Sequence, residues 1–278
     1  MHKRKKIFKV LRTVFYAIFV LIMIAPVFIM LSSSLQTYYE IVAWPPRLLG
    51  EKLRWENYRE VIWGNISVVR PMMNSLVVSV STAFLATVIG IWASYAVSRY
   101  RFRFKGTFMT LILVTQMFSP VLLSTPMYII FRRLGLLNTR LALVIANTAV
   151  ALPMTVYLLS SYLDGIPISM EEAAWMDGCS KLQGIRYVVA PVLRPGLITT
   201  ALFAFIMAWG DLVFAKSFLV SPELKTISLV LTDFKSLYKT TWETQMAASV
   251  LSVLPTFVIF VFIQKYLIKG LTSAGVKG

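Results

Sequence analysis

Apolar runs alternate with short polar segments along the whole chain, and six of the runs are long enough to matter. They cover approximately Thr13 to Ser32, Met72 to Val97, Thr107 to Phe131, Leu141 to Tyr162, Gly196 to Val220 and Met246 to Ile268. A helix crosses the hydrocarbon core of a bilayer in about 20 residues, so each run predicts a transmembrane helix. The chain therefore reads as all-α, a polytopic membrane protein with six transmembrane helices. The runs are not uniformly greasy. The third holds Gln116, Pro120, Ser124, Thr125 and Pro126; the fourth holds Asn147, Thr148 and Pro153; the fifth holds Trp209, Gly210 and Asp211; and the sixth holds Pro255. Proline inside a span breaks the hydrogen-bond ladder and leaves neighbouring helices to re-satisfy it, a pattern suited to a protein that opens and closes.

Between the fourth and fifth runs lies a long polar and small-residue stretch, Ser169 to Pro195. It opens on Ser169-x-x-Glu172, the pattern of a capping box. Glu171 and Glu172 fall in the first predicted turn, where acids complement the helix dipole. Ala173 and Ala174 keep this helix slim, and Gly178 is a natural stop. A second short helix is predicted from Lys181 to Ala190, ended by Pro191 and Pro195. A slim helix of this kind can lie close in a groove of another protein.

Composition sharpens the class. The residues are 58% hydrophobic and 14% charged, with a mean hydropathy of +0.73. Soluble domains carry about 25% charged residues. The net charge of +16 comes from Lys and Arg clustered between apolar runs, as positive-inside topology requires, and does not call for nucleic acid. The single cysteine, Cys179, rules out an intrachain disulfide. The single histidine, His2, rules out a histidine-based metal site and haem held by a histidine pair.

Charge also orients the chain. His2 to Arg12 carries six basic residues and no acid, Ser98 to Gly106 carries four (Arg99, Arg101, Arg103, Lys105), and Leu163 to Pro195 carries three. These segments fall on one side of a six-span chain, so the N- and C-termini are expected in the cytoplasm. No A-x-A-like cleavage site follows the first run, which reads as a retained span and not as a signal peptide. The expected organisation is a cytoplasmic segment over 1–12, a transmembrane domain over 13–269 and a cytoplasmic tail over 270–278. The external loop from Gln36 to Pro71 contains Trp44-Pro45-Pro46 and Trp55-x-x-Tyr58, aromatic residues of the kind found at headgroup interfaces.

Glu172-Ala173-Ala174, three residues, Gly178, nine residues, Val188, one residue and Ala190-Pro191 resembles the EAA loop of binding-protein-dependent ABC importer permeases. The family pattern ends in Ile-x-Leu-Pro, so Val188 and Ala190 are departures, and Cys179 stands where Ala is frequent. Asp177 and Pro195 also match. Trp242, Met246-Ala247-Ala248-Ser249, Gln264-Lys265-Tyr266 and the ending Gly270-Leu271-Thr272-Ser273-Ala274-Gly275-Val276-Lys277-Gly278 resemble the sugar-importer branch, in particular its MalG-like subunit. The resemblance implies a cytoplasmic EAA coupling loop that docks on an ATPase through Glu172, Ala173, Ala174, Asp177 and Gly178. It further implies a tail that meets the ATPases through Leu271, Thr272 and Lys277. The implied partners are a homologous MalF-like permease, two ATPase subunits, an extracytoplasmic solute-binding protein, a sugar and membrane lipid. The implied location is a bacterial inner membrane.

The chemistry in the chain agrees with a dependent subunit. No G-x-x-x-x-G-K-S/T and no G-x-G-x-x-G occurs, so no cofactor is expected on this chain; ATP and Mg would sit at the partner ATPase. A stand-alone secondary carrier is the alternative, but a proton relay calls for several intramembrane acids or histidines, and Asp211 is the one acid well inside a predicted span. An intramembrane enzyme lacks a nucleophile–base constellation. Gln116, Asn147, Trp209 and Asp211 are candidates for the substrate path. Each has a plainer reading: amides as glue between helices, Asp211 in a helix–helix hydrogen bond or paired with Lys216, Trp209 as packing. Glu172 has one too, as the cap of its own helix.

Overall fold

The computed structural model describes residues 2–45, 47–64, 66–234 and 241–275; side chains at 2–7, 10 and 265–275 are not described. In chain order the helices are α1 (His2–Ser33), α2 (Tyr38–Ile41), α3 (Glu56–Trp63), α4 (Val69–Arg99), α5 (Lys105–Thr115), α6 (Pro120–Arg133), α7 (Arg140–Asp164), α8 (Ser169–Met176), α9 (Lys181–Gly184), α10 (Ala190–Trp209), α11 (Val213–Phe218), α12 (Ile227–Val230) and α13 (Trp242–Gly275). A π-helical turn, Ile185–Val189, joins α9 to α10. Among the described residues five apolar helical stretches are each long enough to cross a membrane, and α5 with α6 reach that length and apolar character as a sixth when taken together.

The third predicted span is therefore corrected: it is not one helix. α5 and α6 meet at an angle of 93° across residues 116–119. The chemistry of the break is local. Ser119 is extended and its hydroxyl accepts from the Val121 N–H, while Pro120 occupies the first position of α6. A proline there starts a helix at no cost but removes the amide that would have continued α5.

The chain divides into two compact units. One comprises Met1–Val69 and Val230–Pro255. Within it, α1 is apolar over Leu11–Ser33 and its most apolar window buries nothing within the protein, as expected of a face meant for lipid or another subunit. The loop that follows is tied by side chains. The Asn57 amide donates to the carbonyls of Ser34 (3.0 Å) and Gln36 (2.9 Å), and the Ser34 hydroxyl meets the Tyr58 hydroxyl at 2.7 Å. Thr37 and Glu40 form a reciprocal capping box at α2. The Glu40 carboxylate also accepts from the Glu51 N–H at 2.9 Å.

The other unit comprises Arg70–Leu229 and Thr256–Gly278. Its frame is α4, α7 and α10. In lipid, apolar burial between helices gains little, and close packing must hold them instead. Small residues provide that packing. A Cβ at Gly90 of α4 would lie 2.6 Å from Thr155 Cγ2 of α7, and one at Gly196 of α10 would lie 2.7 Å from Tyr162 Cγ of α7. Buried apolar clusters fill both ends. One gathers Phe131, Leu143, Val144, Phe214 and Phe218, with Phe214 stacked on Phe218 at 5.6 Å. The second gathers Tyr95, Leu159, Leu163, Ile166, Val189 and Leu193. Near the first cluster the Asn74 amide donates to the carbonyls of Glu223 and Lys225, each at 2.9 Å, so the loop before α12 is pinned to α4.

Candidate functional site: a docking loop and a polar seam

The polar stretch forms α8, a tight turn, α9 and the π turn. The capping box predicted at Ser169 does not form. Ser169 is already helical, and the first-turn amides of Met170, Glu171 and Glu172 find the carbonyls of Pro167 and Ile168 at 2.9–3.2 Å. A backbone turn has supplied what a side-chain cap would have supplied, so Glu172 does not cap its helix. The end of α8 does follow expectation. Cys179 N–H bonds Ala174 C=O at 3.0 Å, Gly178 N–H bonds Trp175 C=O at 3.1 Å, and Gly178 has φ +90°. These are the paired bonds of a Schellman motif with glycine in the left-handed position.

The site residues in this stretch divide by face. Glu172, Ala173, Asp177 and Gly178 are exposed, while Ala174 is buried. No atom lies within 4 Å of a Cβ built at Gly178, so the chain itself leaves this corner open. The neighbour Glu171, expected only to complement the helix dipole, is 1% exposed. Its Oε1 accepts from Arg99 Nε at 2.6 Å and its Oε2 from the Tyr95 hydroxyl at 2.8 Å. The adjacent pair of acids was the available signal, since neighbouring helical residues point about 100° apart and only one faces inward.

The second predicted helix is also corrected. Ser180 and Gln183 form the capping box that Ser169 does not, but α9 ends at Gly184. The chain then widens into the π turn, where Ala190 N–H bonds Ile185 C=O, five residues back. Pro191 and Pro195 do not end a helix; Pro191 lies in the first turn of α10, where it has no amide to lose, and Pro195 lies further inside. Gly184 lets the Trp175 indole close in: a Cβ there would lie 3.1 Å from Trp175 Nε1. The fifth apolar helix consequently spans Lys181–Trp209, earlier in the chain than predicted.

Three of the four path candidates share one face of α7. The Asn147 amide donates to its own helix at Leu143 C=O (2.9 Å) and to Asp211 Oδ2 (3.3 Å). The Gln116 amide donates to Val150 C=O at 3.0 Å, one turn along α7 from Asn147. Asp211 also accepts from the amides of Phe214 (3.0 Å) and Ala215 (3.2 Å), which makes it the carboxylate cap of α11. Its partners are thus an amide side chain and a helix end, while Lys216 is exposed. Trp209 is 9% exposed and stacks on Phe205 at 5.7 Å, a packing role. Gln116 opens onto a cavity of about 160 Å³ at the α5–α6 break, lined by Thr115, Phe118, Val150, Pro153 and Met207. At the far end, the backbone of 270–275 continues α13, with the side chains of Leu271 and Thr272 undescribed; Lys277 lies outside the described residues.

Residues 86–273 match the family model described as binding-protein-dependent transport system inner membrane component. The chain is 36% identical to the inner membrane ABC transporter permease protein YcjP of Escherichia coli (strain K12), over 94% of each chain. It is 30% identical to the diacetylchitobiose uptake system permease protein DasC of Streptomyces coelicolor, over 92% of each. Its fold superposes, with a TM-score of 0.79, 24% identity and coverage of 94% and 96%, on a chain of a bacterial ABC transporter involved in the import of the acidic polysaccharide alginate. With the apolar helices, the open-cornered α8 and this breadth of likeness in hand, the chain belongs to the family of binding-protein-dependent transport system inner membrane components.

Proposed function

We propose that this chain is the MalG-like permease subunit of a bacterial ABC sugar importer. It forms half of the translocation path with a homologous MalF-like subunit and takes its energy from two partner ATPases, where ATP and Mg bind. An extracytoplasmic solute-binding protein delivers the sugar. The observation that carries this reading is α8: a slim helix with Glu172, Ala173, Asp177 and Gly178 exposed along one edge and closed by a Schellman turn. Diacetylchitobiose uptake in a relative and alginate import in a structural neighbour support a carbohydrate as cargo. Both termini lie in the cytoplasm on this reading, and Leu271, Thr272 and Lys277 meet the ATPases.

Gln116, Asn147 and Asp211 form the polar seam of the path, with Trp209 as its packed support. The absence of a Walker A sequence favours partner-driven transport over a stand-alone carrier. The test is uptake of radiolabelled disaccharides into proteoliposomes holding this chain, its companion permease and the ATPases. Uptake that requires both ATP inside and binding protein outside supports the reading. Uptake by the permease alone, driven by an ion gradient, would overturn it.

A further inference from the structure

α8 carries two adjacent acids with opposite surroundings. Glu172 faces outward, and Glu171 is buried against the end of α4. On α4, Tyr95 and Arg99 are four residues apart, hence on one face, and each reaches a different oxygen of the Glu171 carboxylate. Arg99 is held a second time, by Nη2 to Ile166 C=O at 3.1 Å, in the segment that leads into α8. The side chains of Arg99 and Glu171 are only 9% and 2% exposed, and Tyr95 belongs to the apolar cluster with Leu159, Leu163 and Val189.

We infer that Tyr95, Arg99 and Glu171 form the joint that passes movement of α8 into α4, so these are positioning residues for transport. This rests on the importer reading above and adds the internal half of the coupling, which that reading leaves open. The physical argument is one of stiffness. Apolar contacts such as that of Ala174 slide at little cost. A buried ion pair does not, because separating it leaves both charges uncompensated in poor surroundings. Displacement of α8 therefore carries the end of α4 with it. The two acids divide the work: Glu172 offers a charge to the partner, and Glu171 ties the same turn to the membrane frame.

The experiment uses the complete complex in nanodiscs, with Cys179→Ser and Ala149→Cys as the parent background. Ala149 is exposed and lines the cavity at the α5–α6 break. The reading is the change in maleimide labelling at that thiol when Mg-ATP and vanadate trap the ATPases. Glu171→Gln and Tyr95→Phe should each diminish this change by about fivefold or more, while ATPase co-purification and hydrolysis persist. Tyr95→Phe removes one hydroxyl and guards against a folding failure in the charge variant. Combining Arg99→Glu with Glu171→Arg should recover more of the change than either substitution alone. An undiminished labelling change in both Glu171→Gln and Tyr95→Phe would overturn the joint. So would a loss that merely tracks a lowered unfolding temperature, since that marks a purely structural contact. A parent complex with no trapping response at all would instead overturn the importer reading.

Discussion

Single residues carry the sharpest consequences. Gly178 sits at φ +90° with open space around a notional Cβ, so its substitution costs backbone strain and creates no clash within the chain. Strain in the left-handed region is about 1–2 kcal/mol for a residue with a Cβ. Gly178→Ala and Gly178→Leu share that strain and differ only in bulk presented to a partner. The expectation is that both insert normally, and that Gly178→Leu loses much more transport per ATP hydrolysed than Gly178→Ala. Equal losses would assign the effect to the turn and not to docking. Asp211 separates two roles in a similar way. As the cap of α11 it accepts from Phe214 on one oxygen and from Ala215 and Asn147 on the other, so Asp211→Asn keeps one acceptor and should be the milder change, whereas Asp211→Ala should lower stability by about 1–2 kcal/mol. Thermal unfolding of the purified subunit checks this. A collapse of transport in Asp211→Asn at unchanged stability would add a charge requirement in the path.

At the scale of the element, most of the helices were legible and their joints were not. Apolar length alone located four crossings and placed a fifth too late in the chain, because about 20 apolar residues suit a membrane helix wherever its polar neighbours begin. The α5–α6 bend was hidden because a broken span and a straight one have the same composition; Pro120 alone signalled it, and proline also occurs in unbroken spans such as α7. Ser169 and Ser180 both carry a capping pattern, and which one caps depends on whether a preceding backbone turn has already satisfied the amides. The choice of Glu171 over Glu172 for burial depends on the register of α8 against α4, a tertiary fact. In the loop before α3, Glu40 illustrates a cap with a pH signature. Its carboxyl is held below the usual glutamate range, first by the Thr37 backbone N–H and then by that of Glu51. A depressed folded pKa stabilises above the unfolded value and ceases to do so as pH falls through the folded one. Glu40→Gln should thus speed hydrogen exchange at the Glu51 amide at neutral pH, and the difference from the native chain should vanish in acid.

For the whole molecule, orientation is the property that everything else depends on. On the proposed orientation, the basic clusters of the N-terminus and of 98–106 face the cytoplasm together with α8. A phosphatase reporter that is active only outside should be silent when fused after Lys105 and active when inserted near Leu53. The inverse pattern would place the docking edge outside and end the importer reading. The loop of α8 was legible in outline, since Gly178 marks the end of the helix in the sequence as in the structure. The polar seam was legible as residues but not as a group: Gln116, Asn147 and Asp211 lie far apart in the chain, and only their common reliance on α7 unites them.

The glycine contacts of α7 reach beyond mechanics. Thr155 is stiff at its β-branch and its hydroxyl is anchored to Ala151 C=O at 3.0 Å, so it cannot swing aside for a methyl group at position 90. The Tyr162 ring is met at its root, which cannot give either. On the timescale of descent, these crossings are closed to gradual drift. An alanine at 90 or 196 arriving alone is a lesion, and one arriving with a smaller residue at 155 or 162 is a neutral step. Lineages that remodel this frame must do so by paired substitution.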